Sequence, residues 1–305
     1  MTFKLEQFRK CFDVTTGAVA VYLGNHIHVD KAKLAVEVHQ TAYVDELLEK
    51  YHMLDCNPVQ TPIIDRLSEK SAGVKLSADD GNMVGSLLYL SCWSRPDIAF
   101  AVSELSRFVS APSQTHLDAA KHLLRYLKGT RALGLRYSKL AHGPSAAPPN
   151  TLWGYVDSDW AGCPDTRRST SGYVLMLNGS AITWKSKRQS VVALSTAEAE
   201  FVAASSMVQE VIYIRRLLER LGYPQPAPTP IYEDNATCIK WAGGAVGGSD
   251  RAKHIDLRKH FVHQVQSNNI LRLQPVAGTD KVTDLLTKPL VKAPFLLLRK
   301  RIMGL

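Results

Sequence analysis

Apolar and polar positions alternate along residues 18–30 (AVAVYLGNHIHVD) and 33–40 (KLAVEVHQ). A period of two predicts two strands closed as a hairpin. From Thr41 the spacing lengthens: Tyr43, Leu47, Leu48 and Tyr51 recur at helical intervals, so 41–53 reads as an amphipathic helix. After an irregular stretch to Gly81, three further segments carry helical signals: 82–93, 96–109 opened by Pro96, and 114–129 closed by Gly129. The first half is thus a small hairpin followed by helices. Residues 138–151 (SKLAHGPSAAPPNT) then break every period with Ser, Ala and Pro, the composition of a linker.

Beyond the linker the order changes. Segments 152–160 (LWGYVDSDW), 171–179 (SGYVLMLNG) and 180–187 (SAITWKSK) read as three strands of an antiparallel meander joined at Gly and Asn-Gly turns. A long helix follows from Ser195 to about Leu221, then a strand at 229–234, a helix from Asn235, a helix around 253–264, a strand at 270–276 and a last helix over 279–288. The sequence βββαβα(α)βα predicts an α/β layer with helices on a mixed sheet.

A chain of 305 residues is long enough for two modest domains, each with its own core. Lys plus Arg exceed Asp plus Glu by 37 to 28, and the resulting charge of +9 favours a polyanionic partner such as nucleic acid. The five cysteines (Cys11, Cys56, Cys92, Cys163, Cys238) are an odd, scattered set without a C-x-x-C pair, which argues against a disulfide framework and a zinc site and for a reducing, intracellular compartment. No apolar run is long enough for a membrane helix, and no small-molecule cofactor motif stands out.

Four acids fall at element ends: Asp157 closing the first strand of the second half, Glu198 in the first turn of the long helix, Asp234 closing the fourth strand, and Asp284 in the last helix. Clustered carboxylates repel one another unless cations neutralise them, and hard oxygen ligands suit Mg²⁺ or Mn²⁺. Two such ions about 4 Å apart can activate a water and stabilise the leaving oxygen of a phosphodiester. Singly, each acid has a plainer reading. Glu198 lies three residues after Ser195, as in a capping box, Asp234 can favour the next helix's dipole, and Asp284 can sit on a helix surface. Asp159 shares a strand face with Asp157, and Glu200 competes with Glu198 because the long helix is apolar on more than one face.

From YVDSDWAG through RRSTSGYV, ITWKSKRQ, LSTAEAEF, EDNATCI, KHIDLRKHF and DLLTKPL, the second half resembles the ribonuclease H domain of copia-type retrotransposon polyproteins. YLGNHIHVD, LLEKYHMLDCNPVQTPI, GSLLYLSCWSRPDIAFAVSELSRF and HLDAAKHLLRYLKGT resemble the segment that follows the polymerase palm in the same polyproteins. The resemblance implies a reverse-transcriptase thumb/connection-like segment without a palm active site over 1–137, a ribonuclease H-like domain with a mixed five-stranded sheet and flanking helices over 152–292, and a C-terminal tail over 293–305. It also implies an endonuclease using two Mg²⁺ ions, with Mn²⁺ possible, to cut the RNA strand of an RNA–DNA hybrid, with Asp157, Glu198, Asp234 and Asp284 as ligands and Asp159 and Glu200 as alternates.

Arg167, Arg168, Lys185, Lys187, Arg188 and Gln189 read as a backbone-contacting surface for the hybrid, and Trp160 and Trp184 as core. Retroviral-type relatives carry a histidine on the loop before the last acid; here that loop, PVAGTDKVTD, has none, and His254, His260 and His263 read as structural or surface residues. The polymerase's Tyr-Val-Asp-Asp hairpin is absent from 1–151, so no polymerase activity is expected, and the Met1 start reads as a truncated or separately predicted reading frame. Upstream polyprotein domains are the implied partners, in a cytoplasmic virus-like particle or the nucleus. The competing expectations are a non-catalytic nucleic-acid-binding remnant and an inactive relic.

Overall fold

The structure, a computed structural model, describes residues 20–69, 78–139, 148–244, 253–276 and 280–305. Strands β1 (Val21–Tyr22), β2 (Asn25–Asp30) and β3 (Ala35–His39) run antiparallel, with Gly24 supplying a left-handed turn at φ +71°. The expected hairpin is only part of this sheet, because β4 (Gly134–Ser138) pairs antiparallel with β3 and completes the order β1-β2-β3-β4. Ser138, read as the first linker residue, is therefore the last residue of a strand. Residues 140–147 of that linker lie outside the described residues.

Helices α1 (Thr41–Lys50), α2 (Ala78–Trp93), α3 (Ala99–Ser106) and α4 (Gln114–Gly129) bury Leu47, Leu87, Leu90, Leu123 and Leu127 against one another. A 3-10 turn, Pro96–Ile98, precedes α3 and carries a fully buried ion pair. The Arg95 guanidinium donates to both oxygens of Asp97 at 2.9 and 2.8 Å, and the Tyr126 hydroxyl donates to the same carboxylate at 2.5 Å. Every polar atom of the pair thus finds a partner, the condition for burying charge at all.

The second half holds β5 (Trp153–Asp159), β6 (Thr170–Leu177) and β7 (Ser180–Arg188) as the expected meander, then α5 (Thr196–Arg220), β8 (Thr229–Glu233), α6 (Ala236–Ala242), α7 (Lys253–Ser267) and β9 (Leu271–Pro275). Strands β8 and β9 run parallel to β5, giving a mixed five-stranded sheet in the order β7-β6-β5-β8-β9. This is the ribonuclease H-like architecture that the resemblance implied. On one face α5 packs Phe201, Met207 and Val211 over Val156, Leu175, Ile231 and Leu273. Gly154 permits the close approach, since a Cβ there would lie 2.4 Å from the Met207 methyl.

The end of the chain departs from expectation. The last helix shrinks to one turn, α8 (Asp284–Thr287), and the supposed tail forms α9 (Lys292–Met303), ended by Gly304 at φ +71°. Phe295 of α9 enters the first half's core, while Leu298, Ile302 and Met303 pack on the second face of the sheet beside Trp153 and Tyr155. Ala99 and Leu135 of the first half join that same cluster. A fully buried Leu or Ile contributes about 1.5–3 kcal/mol, so this shared apolar layer outweighs any exposed ion pair in holding the halves together.

Candidate active site

The parallel pairing of β5 with β8 builds the site. Gly154 pairs with Ile231 and Tyr155 with Tyr232, so continuing the register by two residues sets Asp157 beside Asp234 at the carboxyl ends of neighbouring strands. In α/β sheets, such ends open into a crevice where ligands bind. Glu200 descends from the first turns of α5. Its position continues, one step toward the N-terminus, the buried stripe Leu218, Ile214, Val211, Met207 and Ala204 that faces the sheet. Asp157, Glu200 and Asp234 each offer an oxygen within 4.8 Å of the others.

Glu198, the ligand expected from the motif, goes elsewhere. Its backbone N–H donates to Ser195 Oγ at 3.2 Å, and its carboxylate accepts from the Leu194 N–H at 2.8 Å. Both bonds close the start of α5, a capping role that leaves Glu200 to face the acids. Asp159 is also committed, to the Arg66 guanidinium, which further donates to the Thr287 carbonyl at 2.6 Å. Gly162 leaves room for this pair, because a Cβ there would stand 2.1 Å from Asp159 Oδ2. Asp284 begins α8 and pairs with Lys288 at 3.0 Å, outside the three-acid group. Burial pushes its carboxyl upward, opposed by Lys288 and assisted by the charge of Asp157.

Two groups at the centre carry no signal in a motif read for acids. Lys281, on the loop before α8, places its ammonium on Asp157 and 2.8 Å from Asp234 Oδ2. Burial disfavours its charge, yet Asp157 and Glu200 more than compensate and hold its pKa above the ordinary value. Thr287 donates its hydroxyl to the other oxygen of Asp157. Gly172, paired with Asp157 across the sheet, makes this reach possible, since a Cβ there would stand 2.7 Å from the Thr287 methyl. Glu233, fully buried at the end of β8, was also missed; it shares a strand face with core Ile231, a period-two signal.

Electrostatically the site is overloaded with carboxylates. Burial pushes the Glu200 carboxyl well up, and Glu233 and Asp157 push it further. Burial raises Glu233 too, against the Asn235 N–H that donates to it at 2.8 Å. Asp234 moves the other way: burial would raise it, but the hydrogen bond and charge of Lys281 hold it below the usual carboxylate range. Glu200 Oε2 and Glu233 Oε2 are buried without a hydrogen-bond partner among the described residues. Three carboxylates without His or Cys, one of them presenting an orphaned buried oxygen, fit a hard divalent cation such as Mg²⁺.

The expected nucleic-acid surface divides. Lys185 and Lys187 are exposed on the edge strand β7, flanking Ser186, which is two strands and roughly 10 Å across the sheet from Asp157. Arg167 is exposed at a left-handed turn, Arg168 is half-buried, and Arg188 lies 3.6 Å from the buried Cys163 sulfur. Gln189 cannot read a backbone from where it lies. Its buried amide donates to Ser171 Oγ at 2.8 Å and to the Ala199 carbonyl at 2.9 Å, tying β7 to α5. Trp184 is half-buried and donates to the Ser91 carbonyl at 2.7 Å, whereas Trp160, expected in the core, remains 44% exposed. His260 and His263 are exposed on α7, and the His254 side chain lies outside the described residues.

No family model matches the chain. It is 34% identical over 297 residues to the retrovirus-related Pol polyprotein from transposon TNT 1-94 of Nicotiana tabacum, a match spanning 94% of this chain and 22% of that protein. It is 36% identical over 273 residues to the corresponding polyprotein from transposon RE1 of Arabidopsis thaliana, spanning 88% of this chain and 18% of that one. The chain therefore covers about a fifth of the length of these relatives. Among solved structures, ribonuclease H1 from the halophilic archaeon Halobacterium salinarum NRC-1 aligns with 45% of this chain and 94% of its own, at 14% identity and a TM-score of 0.34. With the two polyprotein matches extending across both halves, the chain belongs to the Ty1/copia-type retrotransposon Pol polyproteins.

Proposed function

We propose that the second half of this chain is a divalent-metal-dependent endonuclease that cuts the RNA strand of RNA–DNA hybrids, serving retroelement replication together with upstream polyprotein domains. The observation that carries the reading is the convergence of Asp157, Glu200 and Asp234 at the ends of β5, α5 and β8, with Glu200 Oε2 left unpartnered among the described residues. These three replace the set containing Glu198, and Asp284 stands at the rim as a fourth carboxylate. Divalent ions bound there supply a water activated at neutral pH and charge to stabilise the leaving oxygen. Thr287 orients Asp157, fixing which carboxylate oxygen faces the cleft. Lys185 and Lys187 contact phosphates and set the duplex across the sheet end without reading sequence. Discrimination of RNA from DNA falls to groups that meet the 2′-hydroxyl.

A second reading, a nucleic-acid-binding module without catalysis, is favoured by Lys281, whose ammonium pairs with both Asp157 and Asp234. Incubating the full chain with a labelled RNA–DNA hybrid and Mg²⁺ or Mn²⁺ decides between them. The nuclease reading expects RNA cleavage that Asp157→Asn, Glu200→Gln and Asp234→Asn each abolish, while Glu198→Gln cuts at near the parent rate. Hybrid that binds and stays intact with either metal supports the binding module. Cleavage that survives the three substitutions would sink the site assignment.

A further inference from the structure

Resting on the metal-site reading above, we infer that Lys281 is a built-in competitor for that site: its ammonium holds the cation position shared by Asp157 and Asp234, and a divalent ion enters only by displacing it. The ammonium touches Asp157 Oδ1 and stands 2.8 Å from Asp234 Oδ2, bridging carboxylates from two adjacent parallel strands. The lysine is held in place, being only 7% exposed and followed by buried Val282 and Thr283. It is not a solvated surface residue that samples the acids in passing.

The neutralisation it provides is incomplete. An ammonium has three donors, and no contact from it reaches Glu200 Oε2, which stays buried and unpartnered among the described residues. A divalent ion accepts six or more oxygen ligands and can engage all three carboxylates, so it has something to gain that the lysine lacks. Displacement also reaches the fourth acid. The Asp284 N–H donates to the Lys281 carbonyl at 3.2 Å, so one turn presents both the lysine and Asp284, and withdrawing the first shifts the second. The site is thus only partly neutralised by the protein's own cation.

Titrating the full chain with Mn²⁺ by calorimetry tests this, comparing the parent with Lys281→Met, which keeps the apolar stem and removes the charge. The variant should bind Mn²⁺ at least tenfold more tightly, melt at lower temperature without metal, and gain more in melting temperature when Mn²⁺ is added. Equal or weaker binding by the variant overturns the inference. If Lys281→Met does not fold, amine acylation of the parent followed by mass spectrometry gives the answer: Mn²⁺ should raise labelling at Lys281, and unchanged labelling overturns it. Mn²⁺ binding that persists in Asp157→Asn, or is absent from parent and variant alike, overturns both this inference and the metal site itself. Tighter Mn²⁺ binding by Lys281→Met in a chain that leaves hybrid RNA intact upholds the competitor and removes the nuclease.

Discussion

Glu198 and Glu200 are two positions apart, which on a helix is about 200° and two different lives. The sequence offers both because buried residues extend both ways around α5: Phe201 and Val208 lie along the stripe that would include Glu198, while Ala204, Met207 and Val211 continue from Glu200. Ser195 three residues before Glu198 is the signal that separates them, since a capping-box glutamate bends back toward its own N-terminus and cannot also reach the sheet. Glu198→Ala should therefore cost about 1 kcal/mol of stability in urea denaturation, the scale of a lost cap, and leave Mn²⁺ affinity unchanged. Glu200→Gln should do the reverse, with affinity falling by more than the roughly 10–100-fold that changes one shell further out produce. A fall in Mn²⁺ affinity with Glu198→Ala would return that residue to the ligand set.

Elements with their own periodicity were legible, and those defined by distant partners were not. Strands β5, β6 and β7 and helices α1, α4 and α5 lie within a residue or so of their predicted bounds at most ends, because their apolar period and their Gly, Pro or Ser punctuation are local. Strand β4 is five residues that become a strand by pairing with β3, about a hundred positions upstream. Helix α9, read as a tail, is amphipathic toward two cores at once, so no single polar face announces it. Lys281 was invisible for the same reason: its partners lie on β5 and just beyond β8. The 3-10 turn before α3 joins a local ion pair to one distant hydrogen bond from Tyr126. Burial would raise the Asp97 carboxyl, but Arg95 and Tyr126 keep it below its ordinary 3.8. A depressed native pKa stabilises the fold above the unfolded value and loses that contribution as pH falls through the folded value. Asp97→Asn should cost about 3–5 kcal/mol at pH 7, the penalty for leaving Arg95 buried and unpaired. In urea melts run at successive pH values, the gap between variant and parent should narrow only below about pH 4. A gap that narrows already near pH 6 would assign the effect to another group.

At the scale of the molecule, the first half is built into the ribonuclease H-like half and is no mere appendage. Arg66, from a loop of the first half, ion-pairs with Asp159, lies 3.6 Å from Glu104 and donates to Thr287 and Thr170. Glu104 in turn holds Arg107 at 3.0 Å, and Arg107 lies 3.5 Å from Asp165 beyond β5. The Tyr137 hydroxyl donates to the Ala181 carbonyl, and the Ser180 hydroxyl to that of Ile302, closing β4, β7 and α9 around the shared apolar layer. Thr287 belongs to both systems: its carbonyl receives Arg66 and its hydroxyl steadies Asp157. The first half therefore acts on the site through a positioning residue two contacts from the acids. If the covalent connection matters less than this packing, a protease site inserted between residues 140 and 147 and then cut should leave the halves co-eluting on size exclusion at neutral pH. Arg66→Ala should weaken that association, loosening hydrogen-exchange protection at β5 and α8 and costing about 1–3 kcal/mol, since Asp159 and the Thr287 carbonyl lose their donor while Glu104 keeps Arg107. Halves that separate on cleavage with Arg66 intact would mean that the linker, and not the interface, holds the first half where it steadies the acids.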